Sequence, residues 1–179
     1  GARVILAEDK PRFGGSLLTS DVNIANQTGV EWAEKIIAEL KTMPNVTVKN
    51  RSQVFGYYDH NMLVMSERIS DHLPKTQKYL PKQRLWYIRA NEVLISSGSI
   101  ERPLVFGNND TPGVMLSSAA KEYMKVYGVL VGKKPLIFTN NDSGYETAIE
   151  FKKNGVDPII LDTRSKPSSD IITEAKDLN

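Results

Sequence analysis

Two acidic residues stand where short apolar runs end. Glu8 follows Val4-Ile5-Leu6-Ala7, and Asp162 follows Ile159-Ile160-Leu161. An acid ending the second strand of a mononucleotide-binding unit can accept hydrogen bonds from both hydroxyls of a ribose diol. Glu8 fits that role best, because Gly14-Gly15 follows where a pyrophosphate could approach the backbone. The alternative for Glu8 is a solvated carboxylate at a strand end.

Asp162 has the weaker claim. The loop Thr139-Asn140-Asn141-Asp142-Ser143-Gly144 occupies the slot of a G-x-G-x-x-G phosphate loop. Thr139 and Asn141 replace the first two glycines, and only Gly144 fits the third. The second glycine lets a phosphate reach a helix N-terminus unobstructed. Asn141 puts an amide there, and Asp142 adds a repelling charge. A structural βαβ unit that keeps the fold without ordinary dinucleotide binding is expected.

Other chemistry is thinly represented. The 179 residues hold no Cys and two His, so thiolate metal sites, disulfides and cysteine nucleophiles are excluded within them. His60 and His72 are too few for a multi-histidine metal site. A formal net charge of +2 spread along the chain gives no nucleic-acid or membrane footprint. Lys133-Lys134 and Lys152-Lys153 read as solvated faces. Apolar runs fall far short of a membrane span, and no secretory signal is seen, which points to a cytoplasmic protein. Glu146 and Glu150 read as one solvated helix face. Tyr57-Tyr58-Asp59-His60-Asn61 reads as a hairpin tip or interface, and no G-x-S-x-G elbow supports a hydrolase. No residue is singled out as catalytic.

The elements that would position these groups follow from periodicity. Val4–Ala7 is a strand that Pro11 cannot continue. Trp32, Ile36, Ile37 and Leu40 mark a helix, with Thr28 as N-cap and Glu31 completing a capping box. Asn45–Val48 is a short strand. Val54–Tyr58, Met62–Met65, Trp86–Ile88 and Val93–Ile95 read as antiparallel strands, with a loop over Asp71–Arg84. Then come a helix over Ser117–Tyr127, a strand Leu136–Phe138, a helix Tyr145–Lys153, a strand Ile159–Leu161 and a last helix over Ser168–Asn179. The strand–helix–strand segment has the size of a parallel crossover.

The segments Gly1–Glu8 and Gly155–Asp162 echo each other: glycine, three residues, isoleucine, two apolar residues, acid. The later one has its preceding strand, loop and helix in view. By analogy the earlier one is also a second strand, whose first strand, loop and helix are expected upstream in a longer polypeptide.

An antiparallel insertion between two βαβ halves, closed by Leu94-Ile95-Ser96-Ser97-Gly98-Ser99-Ile100-Glu101-Arg102-Pro103, resembles the two-dinucleotide-binding-domain flavoprotein reductases. Their Ala-Thr-Gly turn is replaced here by Ser97-Gly98 and neighbours. The absence of Cys after Gly15 and in Ser117–Tyr127 excludes the disulfide-reductase chemistry of that group. Four strings, Val54–Asn61, Gln83–Trp86, Ile100–Phe106 and Phe138–Ser143, resemble more narrowly the alpha subunits of heterotetrameric sarcosine oxidases.

That resemblance implies an α/β, Rossmann-like FAD/NAD(P)-binding fold with an incomplete first βαβ unit, an antiparallel β insertion and a second, degenerate βαβ unit. Residues 1–52 and 92–116 would form part of the first dinucleotide-binding domain, 53–91 the insertion and 117–179 the second domain. It implies NAD in the first unit, held weakly or not at all by these residues alone. The cofactor-side positions would be Glu8, Gly14, Gly15, Val54, Ser97 and Gly98. FMN and FAD would be carried mainly by, or shared with, a beta subunit, and tetrahydrofolate would bind beyond these residues. Beta, gamma and delta subunits would be the partners. The implied reaction oxidises sarcosine, a small-molecule amine, to glycine with oxygen. It gives hydrogen peroxide and formaldehyde, or 5,10-methylenetetrahydrofolate. Alternatives are a subunit of a related amine or opine dehydrogenase or cyanide-synthase-like complex, or a non-catalytic scaffold docking a flavin-bearing beta subunit.

Overall fold

The computed structural model describes residues 1–75 and 78–177. They form two compact units, Gly1–Gly98 and Ser99–Asn179.

In the first unit, β1 (Val4–Ala7) runs parallel to β4 (Val46–Lys49), with Val4 opposite Val46 and Ala7 opposite Lys49. Parallel neighbours need a long crossover. It consists of a 3₁₀ turn (Gly15–Leu18), a small hairpin of β2 (Asn23–Ile24) and β3 (Gln27–Thr28), and helix α1 (Gly29–Thr42). The expected capping box is present. The Glu31 N–H donates to Thr28 Oγ1 at 3.2 Å, and the Thr28 N–H donates to the Glu31 carboxylate at 2.9 Å. The helix stops at Met43, beyond which Pro44 offers no N–H to continue it.

A three-stranded antiparallel sheet follows, in the order β5 (Ser52–Tyr58), β6 (Met62–Arg68), β7 (Gln83–Arg89). Phe55 is bulged out of β5 between Val54 and Gly56. The β5–β6 connection is the expected hairpin tip, in which His60 and Asn61 adopt positive φ. One sheet face is filled: Met65 is fully buried, with Glu67 and Trp86 half-buried beside it.

The chain from 90 to 116 has no regular structure, so the strand expected at Val93–Ile95 does not form. A strand exists only by sharing hydrogen bonds with a neighbour. Among the described residues none pairs with this segment, and Leu94 stands 92% exposed. Apolar β-forming residues without a ladder partner stay extended but unpaired.

The second unit holds α2 (Ser117–Tyr127), β8 (Leu136–Thr139), α3 (Ser143–Lys153), β9 (Ile159–Asp162) and α4 (Asp170–Asp177). Strands β8 and β9 are parallel, with Thr139 opposite Asp162, so the expected crossover is present. Helix α3 is its core: Ala148 and Phe151 pack with Ala120, Met124 and Ile137, while Tyr145 and Ile149 pack with Ile172 and Ala175. Of the pair expected as a solvated face, Glu146 is exposed, but Glu150 is buried. They lie between α2 and α3, where Lys121 Nζ meets Glu146 at 2.5 Å and Lys125 Nζ meets the buried Glu150 at 3.3 Å. The i, i+4 spacing was visible in one helix, but its neighbour was not. Leu178 and Asn179 of the last expected helix, and Thr76 and Gln77 of the expected loop, lie outside the described residues. Among the described residues no helix is long and apolar enough to cross a membrane.

Candidate functional site

Glu8 sits immediately beyond the C-terminal end of β1. Its N–H donates to the Lys49 carbonyl at 2.9 Å, and its carbonyl accepts the Ser52 N–H at 2.8 Å. The next residues are stitched to the same segment: the Arg51 N–H donates to the Lys10 carbonyl at 3.0 Å, and Asn50 Nδ2 to the Pro11 carbonyl at 2.7 Å. Backbone groups thus hold the loop, leaving the Glu8 side chain little to do for the fold. Among the described residues its carboxylate accepts the Lys10 N–H at 3.1 Å, with the Asp9 side chain within hydrogen-bonding reach. Burial pushes its pKa above the ordinary glutamate value; the Lys10 N–H pulls it back, and the Asp9 side chain pushes it further up. A carboxylate has room for about four hydrogen bonds, so Glu8 retains acceptor capacity for a diol.

Gly14 and Gly15 adopt φ of 129° and 52° and open the 3₁₀ turn. A Cβ on Gly14 would stand 3.0 Å from Leu18 and 3.5 Å from Ala33 of α1. Val54 lies inside β5, opposite Met65, on the strand whose Ser52 N–H holds Glu8. The structure thereby brings Glu8 and the Val54 strand together. Ser97 and Gly98 lie in the irregular stretch, Gly98 at φ 69°, and no hydrogen bond among the described residues ties them to Glu8.

Behind Glu8 stands a cluster that sequence patterns do not reveal. Lys49 Nζ donates to Glu67 Oε1 at 2.9 Å, and the Trp86 indole N–H donates to Glu67 Oε2 at 2.8 Å. Lys49 and Arg84 both lie over the Trp86 ring, at 5.1 and 5.6 Å from its centroid. Burial pushes the Glu67 carboxyl up, but the hydrogen bonds from Lys49 and Trp86 and the charges of Lys49 and Arg84 outweigh it and hold its pKa low. The residues come from three strands far apart in sequence, and only the register unites them.

The second unit is built differently at the matching place. Asn141 Oδ1 accepts the Ser143 N–H at 2.9 Å and the Ser143 hydroxyl at 2.6 Å. An amide oxygen thus fills the α3 N-terminus where a phosphate would bind. Gly144 does the work of the third glycine: a Cβ there would lie 2.7 Å from Thr139, so strand and helix could not pack this closely. Asp162 is saturated. Arg164 Nε donates to both its oxygens at 3.1 Å, Nη2 to Oδ2 at 2.8 Å and the Arg164 N–H to Oδ1 at 2.9 Å, while the Tyr145 hydroxyl donates to Oδ2 at 3.0 Å. The Arg164 hydrogen bonds pull the Asp162 pKa down to about 2 against the effect of burial, and the Tyr145 hydroxyl assists. A further ion pair joins Arg164 to Asp142 at 2.8 Å. Arg164 and Tyr145 were missed in the sequence; an arginine two residues past the strand-end acid was the available signal. Among the described residues no cluster of His, Asp and Glu could hold a metal ion.

No protein-family model matches the chain. Among curated proteins it is 42% identical over 177 residues to sarcosine oxidase subunit alpha of Rhizobium meliloti (strain 1021), a match over 98% of the chain. It is 36% and 35% identical to the subunits of the same name from Corynebacterium sp. strains P-1 and U-96, each over 94% of the chain. Its sequence thus matches a segment of the alpha subunits of sarcosine oxidases over nearly the whole chain. It spans 18% of the length of these relatives. Among solved structures, L-proline dehydrogenase from P. horikoshii matches with a TM-score of 0.68 and 21% identity, over 93% of this chain and 32% of that one. The likeness supports the expected Rossmann-like α/β fold.

Proposed function

We propose that this chain is the nucleotide-binding part of an alpha subunit in a sarcosine oxidase-type oxidoreductase, and that Glu8 holds the adenosine ribose of NAD. The observation carrying the reading is the state of the Glu8 carboxylate. It sits at the C-terminal end of a parallel strand, fixed through its backbone. With the Lys10 N–H and the Asp9 side chain as its neighbours, it keeps acceptor capacity for a diol. Ligands of open α/β sheets bind outside the carboxyl ends of the strands. Gly14 and Gly15 would border the pyrophosphate, the Val54 backbone the adenine, and Ser97 and Gly98 the cofactor side of the returning chain. Residues 1–52 and 92–116 would belong to that domain, with 53–91 inserted and 117–179 forming its degenerate counterpart.

The proposed net reaction is oxidation of sarcosine to glycine with oxygen, yielding hydrogen peroxide and formaldehyde or 5,10-methylenetetrahydrofolate. FMN and FAD would be shared with a beta subunit, gamma and delta subunits would complete the assembly, and tetrahydrofolate would bind elsewhere in the alpha polypeptide. The cytoplasm is the proposed location. No G-x-G-x-x-G stretch occurs in these 179 residues. They therefore lack the loop that supplies most pyrophosphate affinity, and alone they bind NAD weakly or not at all and do not turn over.

Glu8→Gln in the full-length subunit, assembled in its complex, tests the reading. Replacing a charged acceptor costs about 1.5–3 kcal/mol, so NAD titration should show binding weakened by about tenfold or more. Unchanged affinity overturns the role of Glu8 and favours a scaffold that only docks a catalytic partner. Sarcosine-dependent peroxide release by the complex separates an oxidase from a related amine or opine dehydrogenase, which passes its electrons elsewhere. Micromolar NAD affinity of residues 1–179 alone would overturn the view that the phosphate-binding loop lies outside them.

A further inference from the structure

The antiparallel sheet has one filled face and one bare face. Residues alternate between the faces along a strand, so Met62, Val64, Ser66 and Arg68 of β6 share the outer face with Leu85, Tyr87 and Arg89 of β7. An open apolar groove of about 390 Å³ lies on it, lined by Phe55, Tyr58, Met62, Val64, Leu85 and Tyr87. Phe55, Tyr58 and Tyr87 are 59, 58 and 68% exposed. The groove is built by specific choices. The bulge in β5 falls at Phe55, and Tyr58 lies across Gly56 so closely that a Cβ there would stand 2.6 Å from its ring. Val64, the groove floor, is buried although it faces outward.

Two arginines flank the groove. Arg89 is opposite Met62 at one end of the sheet face, and Arg68 is opposite Gln83 at the other. Both are exposed, and neither has an ion-pair partner among the described residues. The hydroxyls of Tyr58 and Tyr87 likewise have no hydrogen-bond partner among the described residues. Aromatic, methionine and arginine side chains are the types enriched in the centres of protein interfaces. A second copy of this chain is a poor occupant: a two-fold axis through the groove apposes the same patch, bringing arginine onto arginine.

We propose that this face is the docking surface for a different subunit, whose contact patch presents an apolar anchor flanked by carboxylates. The anchor fills the groove, and the carboxylates meet Arg68, Arg89 and the tyrosine hydroxyls. The proposal rests on reading the chain as part of a subunit that assembles with others, but not on the nucleotide role of Glu8.

Hydrogen exchange of the full-length subunit, alone and in its purified assembly, tests it. Amides of 53–66 and 84–90 should exchange at least tenfold more slowly in the assembly only. No further slowing on assembly would mean that no other subunit covers the face, and slowing confined to amides outside 53–66 and 84–90 would mean that the partner docks elsewhere. Either result overturns the proposal, as does dimerisation of the lone subunit through this face. The paired variants Arg68→Glu/Arg89→Glu and Arg68→Gln/Arg89→Gln should weaken assembly, the first by more than tenfold and more than the second, with the effect shrinking as salt screens it. Both variants assembling with unchanged affinity also overturns it. The Glu8→Gln result is independent: lost nucleotide affinity with an unprotected face sinks this inference alone, and the reverse sinks the nucleotide reading alone.

Discussion

Glu8 and Asp162 stand at matching points of two echoing strands, and their surroundings have gone opposite ways. Glu8 has its backbone engaged by Lys49 and Ser52, and its carboxylate meets the Lys10 N–H and the Asp9 side chain; Asp162 has its carboxylate engaged by Arg164 and Tyr145. Burial raises the pKa of the first, while the guanidinium brings the second to about 2. An acid that must receive a ligand is kept in place by other groups. An acid that only holds the fold together spends its own lone pairs. Under the proposed function, the same strand-end position is a site in one unit and a clasp in the other.

The comparison can be strained from both sides. The largest effect is expected at Gly144, whose replacement by Val drives a branched side chain into Thr139 at the strand–helix contact. Overpacking of this kind costs about 1–3 kcal/mol or more. Urea denaturation should show the loss in the second unit, and unchanged stability would mean that the close approach does not matter. On the other side, Glu67→Ala leaves the Lys49 ammonium and the Trp86 N–H without their acceptor. Orphaned donors cost about 1–3 kcal/mol, read as a lowered unfolding midpoint of the first unit.

A smaller effect separates ligand acid from clasp. Asp162→Asn should leave nucleotide affinity of the full subunit unchanged, where Glu8→Gln lowers it; equal losses would erase the distinction. The smallest effect is on pH. Because the Asp162 pKa falls from 3.8 to about 2 on folding, its stabilising contribution is complete above 3.8 and is lost as pH drops toward 2. The raised pKa of Glu8 acts with opposite sign: its charge disfavours the folded state at neutral pH, and acidification relieves that. Carboxyl NMR titration should find the two in this order. In Arg164→Ala the Asp162 value should rise toward that of an ordinary aspartate.

How much of this was legible in the sequence depended on distance along the chain. The Thr28–Glu31 capping box, the β5–β6 hairpin and the helix Ser117–Tyr127 were legible because their determinants are local. The degenerate Thr139–Gly144 loop was legible as a departure from a spaced glycine motif with the Asn141 amide in the phosphate position, though not that its oxygen would accept both the Ser143 N–H and hydroxyl. The Lys49–Glu67–Trp86 cluster and the α2–α3 ion pairs were not legible, since they depend on register and on which helix lies alongside. The Val93–Ile95 strand was misread for the converse reason: β propensity marks what could pair, while pairing needs a neighbour.

The clamp on Trp86 has an optical consequence. The chain's two tryptophans, Trp32 and Trp86, both belong to Gly1–Gly98, and the second unit contains none. Indole emission is therefore a private signal of the first unit, whereas tyrosines occur in both. An indole flanked by two cations and hydrogen-bonded to a carboxylate should change its emission whenever the Glu8 end of the sheet is disturbed.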